Sequence, residues 1–167
     1  TSSDNITWSG TFTPSSNIED STNTLSLSTS YTDTAGNSGP SATTANYEVE
    51  TMAPSVNSFT MSDTALKIGD NATVTLVFSE AVISFSSSAD ITVPNGALST
   101  MTSSDNITWS GTFTPTSNSE DSSNSLSLAT SYTDTAGNSG SAATTANYAV
   151  DTRAPTLSAV TVVTTPT

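Results

Sequence analysis

The chain has 167 residues, fifteen of them acidic, against two basic ones, Lys67 and Arg153, with no histidine and a net charge of −13. So few cations exclude a nucleic-acid partner, because nothing could neutralise its phosphates, and the absence of cysteine excludes disulfides and thiolate metal sites. Ser and Thr make up about 40% of the chain, a mixture that suits short strands and polar turns rather than helices.

The first fourteen residues, TSSDNITWSGTFTP, return at Thr102, and residues 1–53 recur as 102–154 at about 80% of positions. The repeat predicts three parts. Residues 1–53 are the C-terminal half of one unit, 54–153 a complete unit, and 154–167 the first strand of a following unit. The boundaries fall at Ala53-Pro54 and Ala154-Pro155, where proline holds the preceding residue extended. The chain is accordingly expected to be an excerpt of a tandem array, or to have its half-unit completed by other chains. No leader, long apolar run or lipid anchor is visible, and no membrane insertion is expected.

In the complete unit the elements follow in order. SVNSFTM (55–61) starts it, with Val56 and Phe59 inward. LKIGDN (66–71) reads as a turn. ATVTLVF (72–78) alternates strictly, so Val74, Leu76 and Phe78 share one face. A long crossing, AVISFSSSA, leads to DITV (90–93). DITV and ALSTMT flank Pro94-Asn95-Gly96, a hairpin signal. ITWSGTF (107–113) puts Ile107, Trp109 and Phe113 on one side, and both Trp8 and Trp109 are expected inside. NSED (118–121) reads as a loop, SLSL (125–128) buries Leu126 and Leu128, DTAGN (134–138) turns at Gly137, and NYAV (147–150) buries Tyr148 and Val150. No stretch carries a helical period over ten residues. Seven short strands in about 100 residues predict an all-β fold, a seven-stranded antiparallel β-sandwich of immunoglobulin type, in tandem. The Cys–Trp–Cys signature of antibody domains is missing.

Alternating strands send alternate loops to opposite ends. Glu80, Asp134 and Asn138 fall at the end where the chain enters the unit, Glu120 and Asp121 at the other. The linker residue Glu50 is then expected near Glu80 and Asp134, with Glu19 and Asp20 contributed by the preceding unit and Asp151 repeating Glu50 at the second linker. Carboxylates gathered without cations repel unless a metal sits among them. With neither His nor Cys, the fitting ion is hard and oxygen-loving, and calcium takes such ligands in flexible geometry.

FSEAV (78–82), DITVPNGALS (90–99), ITWSGTFTP (107–115), TDTAGNSG (133–140) and NYAVDTRAPT (147–156) together resemble the bacterial Ig-like repeats of giant secreted adhesins of the RTX and biofilm type. The resemblance covers the whole chain. It implies a β-sandwich, calcium near the inter-domain linkers, export by type I secretion and a place at the bacterial cell surface. By position, Asp151 matches the acid of the family's linker and Glu50 stands in for it at the first linker. Glu80 matches the acid of FSEAV, and Asp134 that of the AGN loop.

Enzymatic chemistry is not expected. Serine lacks a histidine base, and Lys67 alone offers a Ser–Lys pair. The leading expectation is a non-enzymatic spacer whose beads, roughly 35–45 Å long from strand rise plus loops, are stiffened by calcium. Its partners are neighbouring repeats of the same or identical chains, and the distal adhesion target is unknown. The alternative is an extracellular filament or surface-layer subunit in which the tail LSAVTVV (157–163) adds a strand to another chain's half-unit. A glycan platform has little aromatic support.

Overall fold

The computed structural model describes residues 1–161. It is mostly β, with one short helix, and divides into two units, Thr1–Ala53 and Pro54–Thr167. The final residues of the tail, and with them part of the expected strand over 154–167, lie outside the described residues. Residues 154–161 form no strand.

The first unit contains β1 (Glu19–Asn23), β2 (Ser26–Leu27), β3 (Ala42–Thr43) and β4 (Tyr47–Glu50). β1 pairs antiparallel with β4, and β2 with β3. The second unit begins with β5 (Val56–Met61), β6 (Ala65–Lys67) and β7 (Ala72–Phe78), then helix α1 (Ser87–Asp90). It continues with β8 (Ile91–Thr92), β9 (Gly96–Leu98), β10 (Thr108–Pro115), β11 (Glu120–Asn124), β12 (Ser127–Leu128), β13 (Ala143–Thr144) and β14 (Tyr148–Asp151). These make three sheets, ordered β5-β7-β10-β9, β11-β14-β6 and β13-β12-β8.

One core joins them. Val74, Leu76 and Phe78 of β7 meet Phe59, Leu66, Ile91, Phe113, Leu128, Tyr148 and Val150, so every sheet contributes. The alternation read along β7 is the observed burial pattern. Val56 and Phe59 both face inward although they are three residues apart, because the pairing register shifts between Val56 and Ser58. Such a bulge turns the side-chain alternation over by one residue.

Several expectations are corrected. Pro94-Asn95-Gly96 is not a hairpin. β8 pairs with β12, whereas β9 pairs with β10, so the turn carries the chain between sheets. Asn95 takes the left-handed conformation there, at φ 51°, which Asn tolerates better than most residues. LKIGDN is strand before it is turn: Ala65–Lys67 form β6, parallel to β14, so the pairing is not antiparallel throughout. NSED is a loop only through Asn118 and Ser119; Glu120 and Asp121 already start β11. Finally, Trp109 is half-buried but Trp8 is exposed, since the first unit has no counterpart of the strands that cover Trp109 in the second.

Candidate functional site

At the trailing end of each unit a strand pair sets two acids side by side. In the first unit Glu19 is the Cα partner of Glu50; in the second, Glu120 is the partner of Asp151. Like charges directly opposite each other in an antiparallel pair are unfavourable unless something positive intervenes. In the second unit Arg153 does so. Its Nη1 lies 3.8 Å from Glu120 Oε2, and its backbone N–H donates to Asp151 Oδ1 at 3.2 Å. Glu120, Asp151 and Arg153 line an open hollow with Ala154, Pro155 and Thr156. The first unit has Met52 where the second has Arg153, and there the Met52 N–H donates to Glu50 Oε1 at 2.7 Å.

Asp20 and Asp121, next along the strands, bend back on their own backbone. Asp20 Oδ1 accepts from Thr22 N–H at 2.8 Å, and Asp121 Oδ1 accepts from Ser123 N–H at 2.9 Å. Asp121 Oδ2 also accepts from Asn95 Nδ2 at 2.8 Å, and the same amide reaches Asn124 Oδ1. This Asn95–Asn124 network was not read from the sequence. Its signal is Asn124 at the end of β11, a strand with no apolar residue to hold it, and Asn95 in the turn before β9.

The leading end of the second unit carries Glu80, Asp134 and Asn138. Ser79 N–H donates to Ser55 O at 2.8 Å, and Ile83 pairs with Thr133, so the Glu80 and Asp134 loops flank the same end. Glu80 is half-buried, and Asp134 is fully buried. Asp134 Oδ1 accepts from the Asn138 N–H at 2.9 Å and Oδ2 from Asn138 Nδ2 at 2.7 Å. Burial pushes this carboxyl up, but the Asn138 amide and the N–H groups of Asn138, Gly137 and Ala136 outweigh it. The balance leaves its pKa below the ordinary 3.8. Gly137 takes φ 94° to close the turn, a conformation that costs glycine nothing.

The same loop stands in the first unit, where Asp33 accepts from Asn37 N–H and Nδ2, each at 2.9 Å. The Asn37 side chain, then its backbone N–H, lowers the Asp33 pKa. The turn therefore forms from its own residues.

Asp90, placed by the sequence only as the start of a strand, is a further buried acid. It accepts from the Ser86 N–H at 2.7 Å and from the Ser131 hydroxyl.

The structure thus brings Glu19 to Glu50, Glu120 to Asp151 and Asp134 to Asn138. Among the described residues no group of three or more acidic side chains converges in a way that could hold a metal ion. Lys67, the one lysine, is tied to Asp70 at 3.0 Å. The arrangement offers paired surface carboxylates and internally satisfied Asp turns, not a nucleophile with its base. Among the described residues no helix is long and apolar enough to cross a membrane.

A family model described as a bacterial Ig-like domain matches residues 1–49 and 50–150. No curated protein and no solved structure matches the chain.

Proposed function

Since this chain belongs to the bacterial Ig-like domain family, we propose that it is a non-enzymatic stretch of extender repeats from a large bacterial surface adhesin. Its Ig-like units, read as seven-stranded sandwiches, act as spacers that hold a distal binding domain away from the cell. Family membership favours an extracellular, surface-displayed setting and contact with neighbouring repeats.

The observation that carries the spacer reading is the repetition itself. Two successive units run on one strand-pairing scheme, Glu19↔Glu50, Asp20↔Val49 and Asn23↔Tyr47 recurring as Glu120↔Asp151, Asp121↔Val150 and Asn124↔Tyr148. Each ends on an acid followed by Thr-Met-Ala-Pro or Thr-Arg-Ala-Pro. A short proline linker limits bending on its own.

Calcium at the linkers is the second part of the proposal. The oxygen donors suit a hard cation. The Glu19/Glu50 pair fits better than Glu120/Asp151, where Arg153 already supplies positive charge. Two carboxylates leave most of calcium's coordination to backbone carbonyls and water. Glu80 and Asp134 at the leading end are the other donors in the proposal.

A calcium titration with thermal melting tests it. Calcium at millimolar concentration is expected to raise the melting temperature, and Glu50→Gln to reduce the gain more than Asp151→Asn. An unchanged melting curve removes calcium from the account while leaving the spacer role in place.

A further inference from the structure

Three Asn-x-Thr triplets occur in the chain, Asn5-Ile6-Thr7, Asn71-Ala72-Thr73 and Asn106-Ile107-Thr108. Their settings differ. Asn106 lies in the turn that leads into β10 of the complete unit, in the left-handed conformation at φ 58°. Its backbone is held. The Asn106 carbonyl accepts from Val82 N–H at 3.0 Å, and Asp105 Oδ1 accepts from the Ile107 and Thr108 N–H groups at 2.9 and 2.8 Å. Its side chain is not held. Asn106 is exposed, and its amide has no hydrogen-bond partner among the described residues. Thr108, two residues on, is exposed as well.

We propose that Asn106 is an acceptor for N-linked glycosylation, taking a sugar activated as a phosphate ester from a transferase that reads Asn-x-Thr. In that step a bond forms between Asn106 Nδ2 and the anomeric carbon of the sugar. The bond from that carbon to the donor's phosphate oxygen breaks, and the phosphate leaves with the electron pair. The amide proton passes to a base of the transferase. Left-handed φ accounts for an Asn here, but Gly would serve the backbone as well. It does not account for a free amide beside an exposed hydroxyl at the second residue on, the pair of groups that such a transferase engages.

Asn71 supplies the contrast. Its Oδ1 accepts from the Thr114 hydroxyl at 2.7 Å. Ala72 beside it is buried, and Thr73 N–H donates to Ser62 Oγ at 2.8 Å. The triplet runs into β7, which is paired on both sides, with β5 and with β10, so it cannot bend into a transferase without breaking the sheet. Asn5 repeats the Asn106 turn. It has φ 57°, and Asp4 Oδ1 accepts from the Ile6 and Thr7 N–H groups at 2.9 and 2.8 Å. The turn is therefore set by its own residues. The proposal stands independently of calcium and of the spacer reading.

The test is peptide mapping by mass spectrometry of the chain isolated from the bacterium that makes it. Cleavage at acidic residues separates the Asn5 peptide from the Asn106 peptide, which differ at Ser15/Thr116 and Ile18/Ser119. Both are expected to carry added sugar, and the Asn71 peptide to carry none. Thr108→Ala made in the same cells is expected to lose the sugar on Asn106, and Thr108→Ser to keep it. Asn106→Gly, which suits the left-handed turn, is expected to lose the sugar with the melting temperature of the unglycosylated chain unchanged. Incubating the unmodified chain with the cell's soluble fraction and a nucleotide-linked sugar, or with its membranes, tells whether the donor phosphate is carried by a nucleotide or by a lipid. Transfer to Asn106 in either arm supports the proposal, and transfer in neither overturns it. A bare Asn106 in the native chain also overturns it, as does sugar that persists in Thr108→Ala.

Discussion

Asp134 shows how a buried anion is held in a chain this poor in cations. Its oxygens are met by N–H donors from its own loop rather than by a lysine or arginine. Asp134→Ala removes the acceptor and leaves those donors unmet, which should cost about 1–3 kcal/mol, read as a lower melting temperature of the second unit. The sign of its pH dependence follows from its depressed pKa. The stabilisation is fully present above 3.8 and is lost as pH falls through the folded-state value. Acid titration of the wild type should therefore lower stability below about pH 4, and the Asp134→Ala variant should show a smaller loss. Tyr148 works in the opposite range. Burial, and then the Asp121 charge, push its hydroxyl up to about 12. Its contribution is intact below the ordinary 10 and is lost as pH rises through about 12. Tyr148→Phe should flatten the alkaline limb of the stability profile.

Among the elements, legibility in the sequence followed hydrophobic alternation. β7 and β10 carry apolar residues every second position and were readable; β14 was too, from Tyr148 and Val150 alone. β11 was not. Its sequence EDSSN has no apolar residue, and what holds it is amide chemistry. Asn124 Nδ2 donates to Tyr148 O at 3.2 Å, and Asn147 Nδ2 to Ser122 O at 3.0 Å. Hydrogen bonds from side chains across strands leave no period in the sequence. β6 was hidden for a related reason: its partner β14 lies more than eighty residues away in the chain, so no local turn announces the pair. The same limit applies to the site. The acids beside the linkers are visible in the sequence, but which of them face each other depends on pairing register, which puts Glu19 opposite Glu50 and Glu120 opposite Asp151.

Two element-scale substitutions probe this reading. Asn124→Ala should loosen β11 by about 1–3 kcal/mol, because buried backbone acceptors lose their donor; amide exchange in β11 should quicken before that in β7. Gly96→Ala forces a Cβ to within 2.1 Å of Phe113 Cζ and 2.9 Å of Thr114 O. Overpacking of this kind costs about 1–3 kcal/mol and should appear as a melting loss with Phe113 displaced.

The molecule as a whole combines a net charge of −13 with thin, Ser- and Thr-rich units, each closing on paired carboxylates. Self-repulsion in such a chain is relieved by counterions, and a divalent ion bound at the linkers would convert that relief into stiffness. Monovalent salt should screen repulsion but should not substitute for calcium in restricting bending. Small-angle scattering at constant ionic strength, first with calcium and then with chelator, measures this on the intact chain. The account predicts a longer and narrower distribution of end-to-end distances with calcium, reverting on chelation and weakened by Glu50→Gln. Identical scattering curves in calcium and in chelator would contradict it.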